Sequence, residues 1–444
     1  MGTALGREDH HLPERQAIHG AEDTTALTIA QKRYFIKRKR CAVPLFGQRH
    51  AVALPEGVWC PPKHEYPVLD GFSSICYNLV EPISIHAMKK SLFYGITIVL
   101  LFCLSAGAQE WQEVTSRDRV TLPRDLYVQS GYRIQWWYFT GHLLDTGGRP
   151  FGFEVTFFVV GVQKRPFRSK FGIKTIYLTN FAISDIEGKK FYHFSNADSG
   201  TYGFAGADGS RLHVWVGKDT LEGDLARMHI KAHAQDADLD LVLALKKPII
   251  TNGNKGYSRK SEESPRVASL YFSCTDLETK GTIKLGSTLF TVHGKSWFDR
   301  EISSHGLAKN EAGWDWFAIQ LDDGREIMIY ELRKKDGSID RYSAGTLVDT
   351  VGNIRHLKRD DYRIKVISTY TSKMTGIRYP SKWEIIVPSE HLSLQVTPLL
   401  EDQEFTGDQA MGRPYWEGTC SVEGSARGEA YTEMTGYQII GETP

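Results

Sequence analysis

An all-β fold, an antiparallel sandwich or barrel, is predicted by three observations. Apolar residues recur with period two, turn signals interrupt these runs at short intervals, and no stretch keeps a helical stripe for three turns. Phe151, Phe153, Val155, Phe157 and Val159 share one face of a strand, with Glu154 and Thr156 on the other. Leu239, Leu241, Leu243 and Leu245 do the same opposite Asp238 and Asp240. The turns are read at Asp145-Thr146-Gly147-Gly148, Ala207-Asp208-Gly209, Asp322-Asp323-Gly324 and Lys335-Asp336-Gly337. Residues 250–266, polar and glycine-containing, read as one long loop, of a length that is often functional. Regularly spaced short strands of this kind close into sandwiches or barrels.

Domain organisation starts late in the chain. Met88-Lys89-Lys90 is a short basic segment, residues 91–105 are uncharged and largely apolar, and Ala106-Gly107-Ala108 is a small-x-small cleavage site. Together, residues 88–108 have the parts of a secretory signal peptide, and the run is too short for a comfortable membrane span. Met88 is therefore the expected start. Residues 1–87 then form a non-native upstream extension or a disordered segment, and Gln109–Pro444 is exported to the periplasm or secreted. The basic cluster Lys37-Arg38-Lys39-Arg40 falls in that extension. A formal net charge of +1 gives no nucleic-acid surface and at most peripheral membrane contact. Two cysteines, Cys274 and Cys420, follow residue 108; they pair in an oxidising compartment or stay as separate buried thiols.

One internal echo divides the exported part. Trp136-Trp137-Tyr138-Phe139 precedes Leu144-Asp145, Gly147 and Arg149, and Trp314-Asp315-Trp316-Phe317 precedes Leu321-Asp322, Gly324 and Arg325. Two halves of one type would produce this, with a boundary near residue 305, giving domains at 109–305 and 306–444.

The chemistry-bearing constellation is Trp297, Asp299 and Glu301. On a strand all three point to one side, with Phe298 and Arg300 on the other. Two pocketed carboxyls repel, and desolvation raises at least one pKa, so that a neutral acid survives near pH 7. Such an acid beside indole faces suits protonation of an alkene and addition of water. The plainer alternative is a structural pair tied to Arg300 or Arg133. Trp136, Tyr138, Trp314 and Trp316 have the same spacing and either line an apolar ligand cavity in a barrel or pack as core. Asp315 would face away from its Trp neighbours. His229 and His233 share a face without a third ligand, so neither a metal nor a cofactor is expected. No His-Glu-x-x-His, nucleophile elbow or phosphate-cradling loop is present.

The run Gln135-Trp136-Trp137-Tyr138-Phe139-Thr140-Gly141-His142, with Gly152-Phe153-Glu154-Val155-Thr156-Phe157-Phe158, resembles the entry motif of the carotenoid 1,2-hydratase and AttH-like family. Gly294 to Glu301, Gly313 to Phe317, Tyr415 to Gly418 and Gly428 to Tyr437 match further motifs in order, and the likeness spans nearly all of 111–440. It implies two consecutive lipocalin-like antiparallel β-barrels. Family members hydrate acyclic carotenoids, assist cycloadditions, or are exported proteins encoded beside an ABC export system. The expectation is thus an exported carrier that binds a lipophilic, isoprenoid- or lipid-like molecule and works with an ABC-type transporter. The alternative is a hydratase whose acid pair is Asp299 and Glu301, and a third reading is a scaffold presenting loop 250–266. In either binding role Trp136, Tyr138, Trp297, Trp314 and Trp316 would contact the ligand. The sequence departs from the family at Gln135, usually Glu, and at Arg300, often His. Should those positions supply the acid or its relay, hydratase chemistry would be lost.

Overall fold

Two sheets hold nearly all the regular structure. The computed structural model describes residues 110–164, 172–406 and 413–438. The upstream extension and the leader-like segment 88–108 lie outside them. In the first sheet the strands are β1 (Ile134–Asp145), β2 (Pro150–Gly161), β3 (Thr175–Asp185), β4 (Lys190–Asp198), β5 (Ala205–Ala207), β6 (Leu212–Val216), β7 (Asp219–Gly223), β8 (Arg227–His233), β9 (Ala237–Leu245), β10 (Ile250–Thr251), β11 (Tyr257–Arg259), β12 (Ala268–Leu285) and β13 (Thr288–Ser303). In the second they are β14 (Glu311–Leu321), β15 (Glu326–Lys334), β16 (Ala344–Val348), β17 (Ile354–Lys358), β18 (Arg363–Thr371), β19 (Arg378–Val387), β20 (Leu392–Pro398), β21 (Glu404–Phe405), β22 (Tyr415–Gly424) and β23 (Gly428–Met434). Both sheets are antiparallel and curl into near-closed, lipocalin-like barrels.

The two sheets repeat one topology. The first runs β4-β3-β2-β1-β13-β12-β9-β8-β7-β6-β5, and the second β17-β16-β15-β14-β23-β22-β20-β19-β18. In each, the opening long strand pairs with the last, β1 with β13 and β14 with β23. Short strands off the main path, β10 and β11 in one and β21 in the other, pair with the penultimate strand. The echoed aromatic motifs occupy equivalent opening strands, β1 and β14. Among the described strands of the main path, the β5–β6 extension has no counterpart in the second sheet.

Period-two patterning decides what lies inside each barrel. Trp137, Phe139, Phe153, Val155, Phe157, Leu239, Leu241 and Leu243 are all buried in the first interior core. A short 3-10 turn, Arg124–Leu126, seats Leu126 in that core, and the Trp137 indole N–H donates to the Leu126 carbonyl at 2.7 Å. Phe317, Ile319, Ile329, Trp383, Ile385 and Trp416 fill the second. Cys274 and Cys420 are single buried thiols in different cores, so they do not pair. Segment 250–266 is not the continuous loop expected: β10 and β11 hydrogen-bond to β12, which satisfies backbone groups that a loop would leave to solvent.

The barrels meet along their outer faces. β1 and β2 of the first lie against β22 and β23 of the second. Gly152 on β2 makes the close approach possible, because a Cβ there would stand 2.7 Å from Thr419 Cβ on β22. Polar bonds cross the seam: Ser184 Oγ donates to Gln403 Oε1 at 2.6 Å, Asn180 Nδ2 to Tyr415 Oη at 2.9 Å, and Gln320 Nε2 to the Thr275 carbonyl at 2.7 Å.

Candidate functional site

Strand register gathers the site. On β13, Trp297, Asp299 and Glu301 sit opposite Thr140, Tyr138 and Trp136 of β1. On the other side Asp299 and Glu301 sit opposite Ser273 and Tyr271 of β12. Directly paired residues project from the same face of a sheet. Here that face is the outside of the first barrel, so these aromatic residues do not line its interior. The strand pleat allows either side; the apolar partners Trp137, Phe139 and Phe298 take the inside. The second barrel presents its own outer face, with Trp316 opposite Tyr330 and Glu433. Tyr138, Tyr271, Trp297, Trp316, Tyr330 and Met328 join in one buried cluster, with Trp136 and Trp314 half-buried against it. Tyr138 meets Trp316 edge-on at 5.2 Å, and Trp297 meets Trp316 at 6.4 Å.

Asp299 lies at the centre, 3% exposed. It accepts hydrogen bonds from Tyr271 Oη at 2.5 Å, Ser273 Oγ at 2.5 Å and Trp297 Nε1 at 2.7 Å. Trp316 Nε1 donates to Tyr271 Oη at 3.3 Å, tying the cage to the second barrel. Burial pushes the Asp299 carboxyl up, the three donors pull it down, Glu301 pushes it up again, and the balance is about 7. Glu301 is paired instead with a cation: Lys260 Nζ lies 3.4 Å from Glu301 Oε2. Burial opposes the Lys260 charge, but Glu301, Tyr330 and Asp299 outweigh it, and its pKa is raised. The Lys260 ammonium also stands over the rings of Tyr271, at 4.6 Å, and Tyr330, at 4.2 Å. The site therefore holds an acid poised near neutrality beside an ion-paired carboxylate, walled by indole and phenol rings.

A second carboxyl group of residues adjoins it. Glu154, Glu417 and Glu433 approach one another across the seam, and all three are raised, first by burial and then by their carboxylate neighbours. Glu433 reaches about 7, with the Trp314 indole drawing it down and Glu301 and Asp299 pushing it up. Tyr138 donates a short hydrogen bond to Glu417. Glu154 Oε2 and Tyr431 Oη are buried without a hydrogen-bond partner.

The departures from the family pattern lie elsewhere. Gln135 and Arg300 project into the first barrel, on the opposite face from Asp299. Arg300 Nη2 donates to Gln135 Oε1 at 2.9 Å and to the Tyr127 carbonyl at 2.9 Å, and its guanidinium stacks 3.9 Å over Trp137. Gln135 also accepts from Gln129 N at 2.9 Å and donates to the Gln129 carbonyl at 2.8 Å. The pair locks the 124–129 segment rather than the acid site. Gln135→Glu is thus expected to leave turnover unchanged. It loses the bond donated to the Gln129 carbonyl, keeps the one accepted from Gln129 N, and turns the Arg300 bond into a carboxylate–guanidinium one, for a net change within about 2 kcal/mol either way. Denaturation midpoints alongside turnover check this.

Residues 113–437 match the family model described as AttH-like. The chain belongs to the AttH-like family. Among solved members of similar fold is a candidate AttH from Nitrosomonas europaea, 30% identical, with a TM-score of 0.68, covering 74% of this chain and 100% of that one. Kievitone hydratase from Nectria haematococca has the same fold at 15% identity and a TM-score of 0.56, covering 74% of this chain and 96% of its own. A dehydratase, asqC, of Emericella nidulans is 23% identical over 289 residues, 61% of this chain and 76% of its own length.

All seven site residues singled out in the sequence of this AttH-like chain, Asp299, Glu301, Trp136, Tyr138, Trp297, Trp314 and Trp316, fall on the seam. Asp315 faces away from it, bonded to Arg333 at 3.1 Å and Tyr437 at 3.0 Å. His229 and His233 lie apart, each held by an aspartate, Asp240 at 2.6 Å and Asp238 at 3.1 Å. Sequence reasoning missed Tyr271 and Ser273, which carry the same alternation on β12, and Lys260, Tyr330, Glu417 and Glu433. A separate cavity of about 310 Å³ lies by β4, β6 and β7, lined in part by Asn196, Phe204, Lys218, Asp219 and His233. Its buried carboxylate, Asp219, is already engaged by Asn196 Nδ2 at 2.7 Å and His233 N at 2.8 Å.

Proposed function

We propose that this protein is a carbon–oxygen lyase that adds water across a C=C bond or removes it to form one, at the seam between the barrels. The observation that carries the reading is Asp299: a buried carboxyl with three donors, near neutral pKa, walled by Trp297 and Trp316 and next to the ion-paired Glu301. In elimination Asp299 delivers a proton to the leaving oxygen and Glu301 removes one from carbon, with the roles exchanged in addition, so the step is balanced and needs no cofactor. The aromatic walls exclude bulk water, which strengthens every charge interaction inside. A relative named as a dehydratase supports this class of chemistry.

The carrier reading is the rival. Both barrel interiors are packed with side chains, and the seam concentrates carboxyls that a purely apolar cargo would leave desolvated. Those features favour the enzyme. Export through the leader-like segment, and a link to an envelope transporter, fit either reading and stay proposals. The test is incubation of the full chain with candidate alkenes and alcohols in ¹⁸O-labelled water, followed by mass spectrometry. Label gained or lost, and abolished in Glu301→Gln, is the expected outcome. Tight binding with no label exchange would replace the lyase with the carrier.

A further inference from the structure

We infer that Lys260 is an oxyanion receptor, and that the substrate of the seam carries a carbonyl conjugated to the alkene or adjacent to the carbon that loses its proton. This rests on the lyase reading above and narrows its substrate class.

Two lysines near the seam use their donors differently. Lys247, 11% exposed, is saturated: its ammonium reaches Glu326 Oε1 at 2.7 Å, Glu326 Oε2 at 2.8 Å and the Asp349 carbonyl at 3.1 Å, and also the Gly324 carbonyl. That is how a structural lysine between two barrels uses its donors. Lys260, 18% exposed, is different. Its carboxylate contact is a single one at 3.4 Å, longer than a full charge-assisted N–H···O bond. The rest of its surroundings are the faces of Tyr271 and Tyr330, which attract a cation without taking its protons. An ammonium with uncommitted donors, caged by rings from both barrels beside the acid, is placed to receive another acceptor. Its position is fixed from behind, because Lys260 N donates to the Val267 carbonyl at 2.8 Å and the neighbouring β11 pairs with β12.

That acceptor is an oxygen that gains negative charge. A free carbocation would offer the Lys260 ammonium no acceptor for its donors. An enolate has the opposite sign. In the elimination direction Glu301 takes the proton from the carbon next to the carbonyl, and the C–H electron pair becomes the enolate, with its oxygen on Lys260. That pair then forms the C=C bond as the C–O bond breaks, and Asp299 gives its proton to the leaving oxygen, which departs as water. Glu301 ends protonated and Asp299 ionised, so the proton count closes. Addition of water runs the same steps in reverse.

The test uses p-nitrophenol, whose phenolate mimics an enolate oxygen and is read by its own absorption band. The full chain is expected to bind it as the phenolate at a pH below the phenol's own pKa. Lys260→Met should weaken that binding roughly 10- to 100-fold, the range for hydrogen bonds to charged groups, while Lys260→Arg keeps most of it. Glu301→Gln should tighten it, because the ammonium loses its resident anion. Binding of the neutral phenol only, or phenolate binding unchanged in Lys260→Met, would overturn the inference. No turnover enters this measurement. A failure of the lyase reading is seen separately, in label exchange that survives Glu301→Gln or never occurs.

Discussion

Asp299→Asn is expected to reduce turnover by about 10²–10⁴-fold while leaving ligand binding and the denaturation midpoint nearly unchanged. The amide is nearly isosteric, and its oxygen can still accept from Tyr271, Ser273 or Trp297. It lacks a proton that can be given away. The predicted loss corresponds to about 3–5.5 kcal/mol of barrier. In the elimination direction of the unmodified protein Asp299 must be protonated to act, and its pKa is about 7. Elimination should therefore be full below that pH and fall as pH rises through it. Tyr271→Phe removes one of the donors that draw Asp299 down, so it should move this falling limb to higher pH while keeping turnover at low pH. A pH–rate profile that falls at the same pH in Tyr271→Phe, or an Asp299→Asn enzyme with full activity, would remove Asp299 from the acid role.

The sequence made much of this site legible because strands have only two faces. Alternation alone placed Trp297, Asp299 and Glu301 together and Arg300 against them, and the structure keeps both groupings. It could not say which face is the inside, since both carry large aromatic residues. Trp137, Phe139 and Phe298 fill the first barrel, and Trp136, Tyr138 and Trp297 cover it. That ambiguity is also why Gln135 and Arg300 looked like a loss of catalytic groups. Their cross-strand contact, only visible with register in hand, shows a lock on residues 124–129. Lys260 was hidden for another reason. It lies in a polar, glycine-containing stretch that reads as loop, and its role depends on Tyr330 from the other barrel, a pairing that no local pattern encodes.

The seam should also make the fold sensitive to alkali. Glu154 and Glu417 are fully buried and Glu433 is partly buried, on strands from both barrels, with Tyr138, Tyr415 and Tyr431 beside them kept neutral by burial. Each carboxyl is raised above its ordinary value of 4.5 by burial first and by its neighbours second. A carboxyl whose folded pKa is raised holds its proton where the unfolded chain has lost it. Its contribution is then complete below about pH 4.5 and disappears as pH rises to the folded value. For Glu433, raised to about 7, the loss by pH 8 is about 3 kcal/mol. Glu417→Gln gives the check. The amide still accepts from Tyr138, carries no charge at any pH, and removes the carboxyl on which both Glu154 and Glu433 act. Urea denaturation at pH 5 and pH 8 should show the unmodified protein losing stability between them and the variant losing clearly less. Equal losses in both would mean that the three carboxyls are solvated in the folded protein and do not hold the barrels together through their protons.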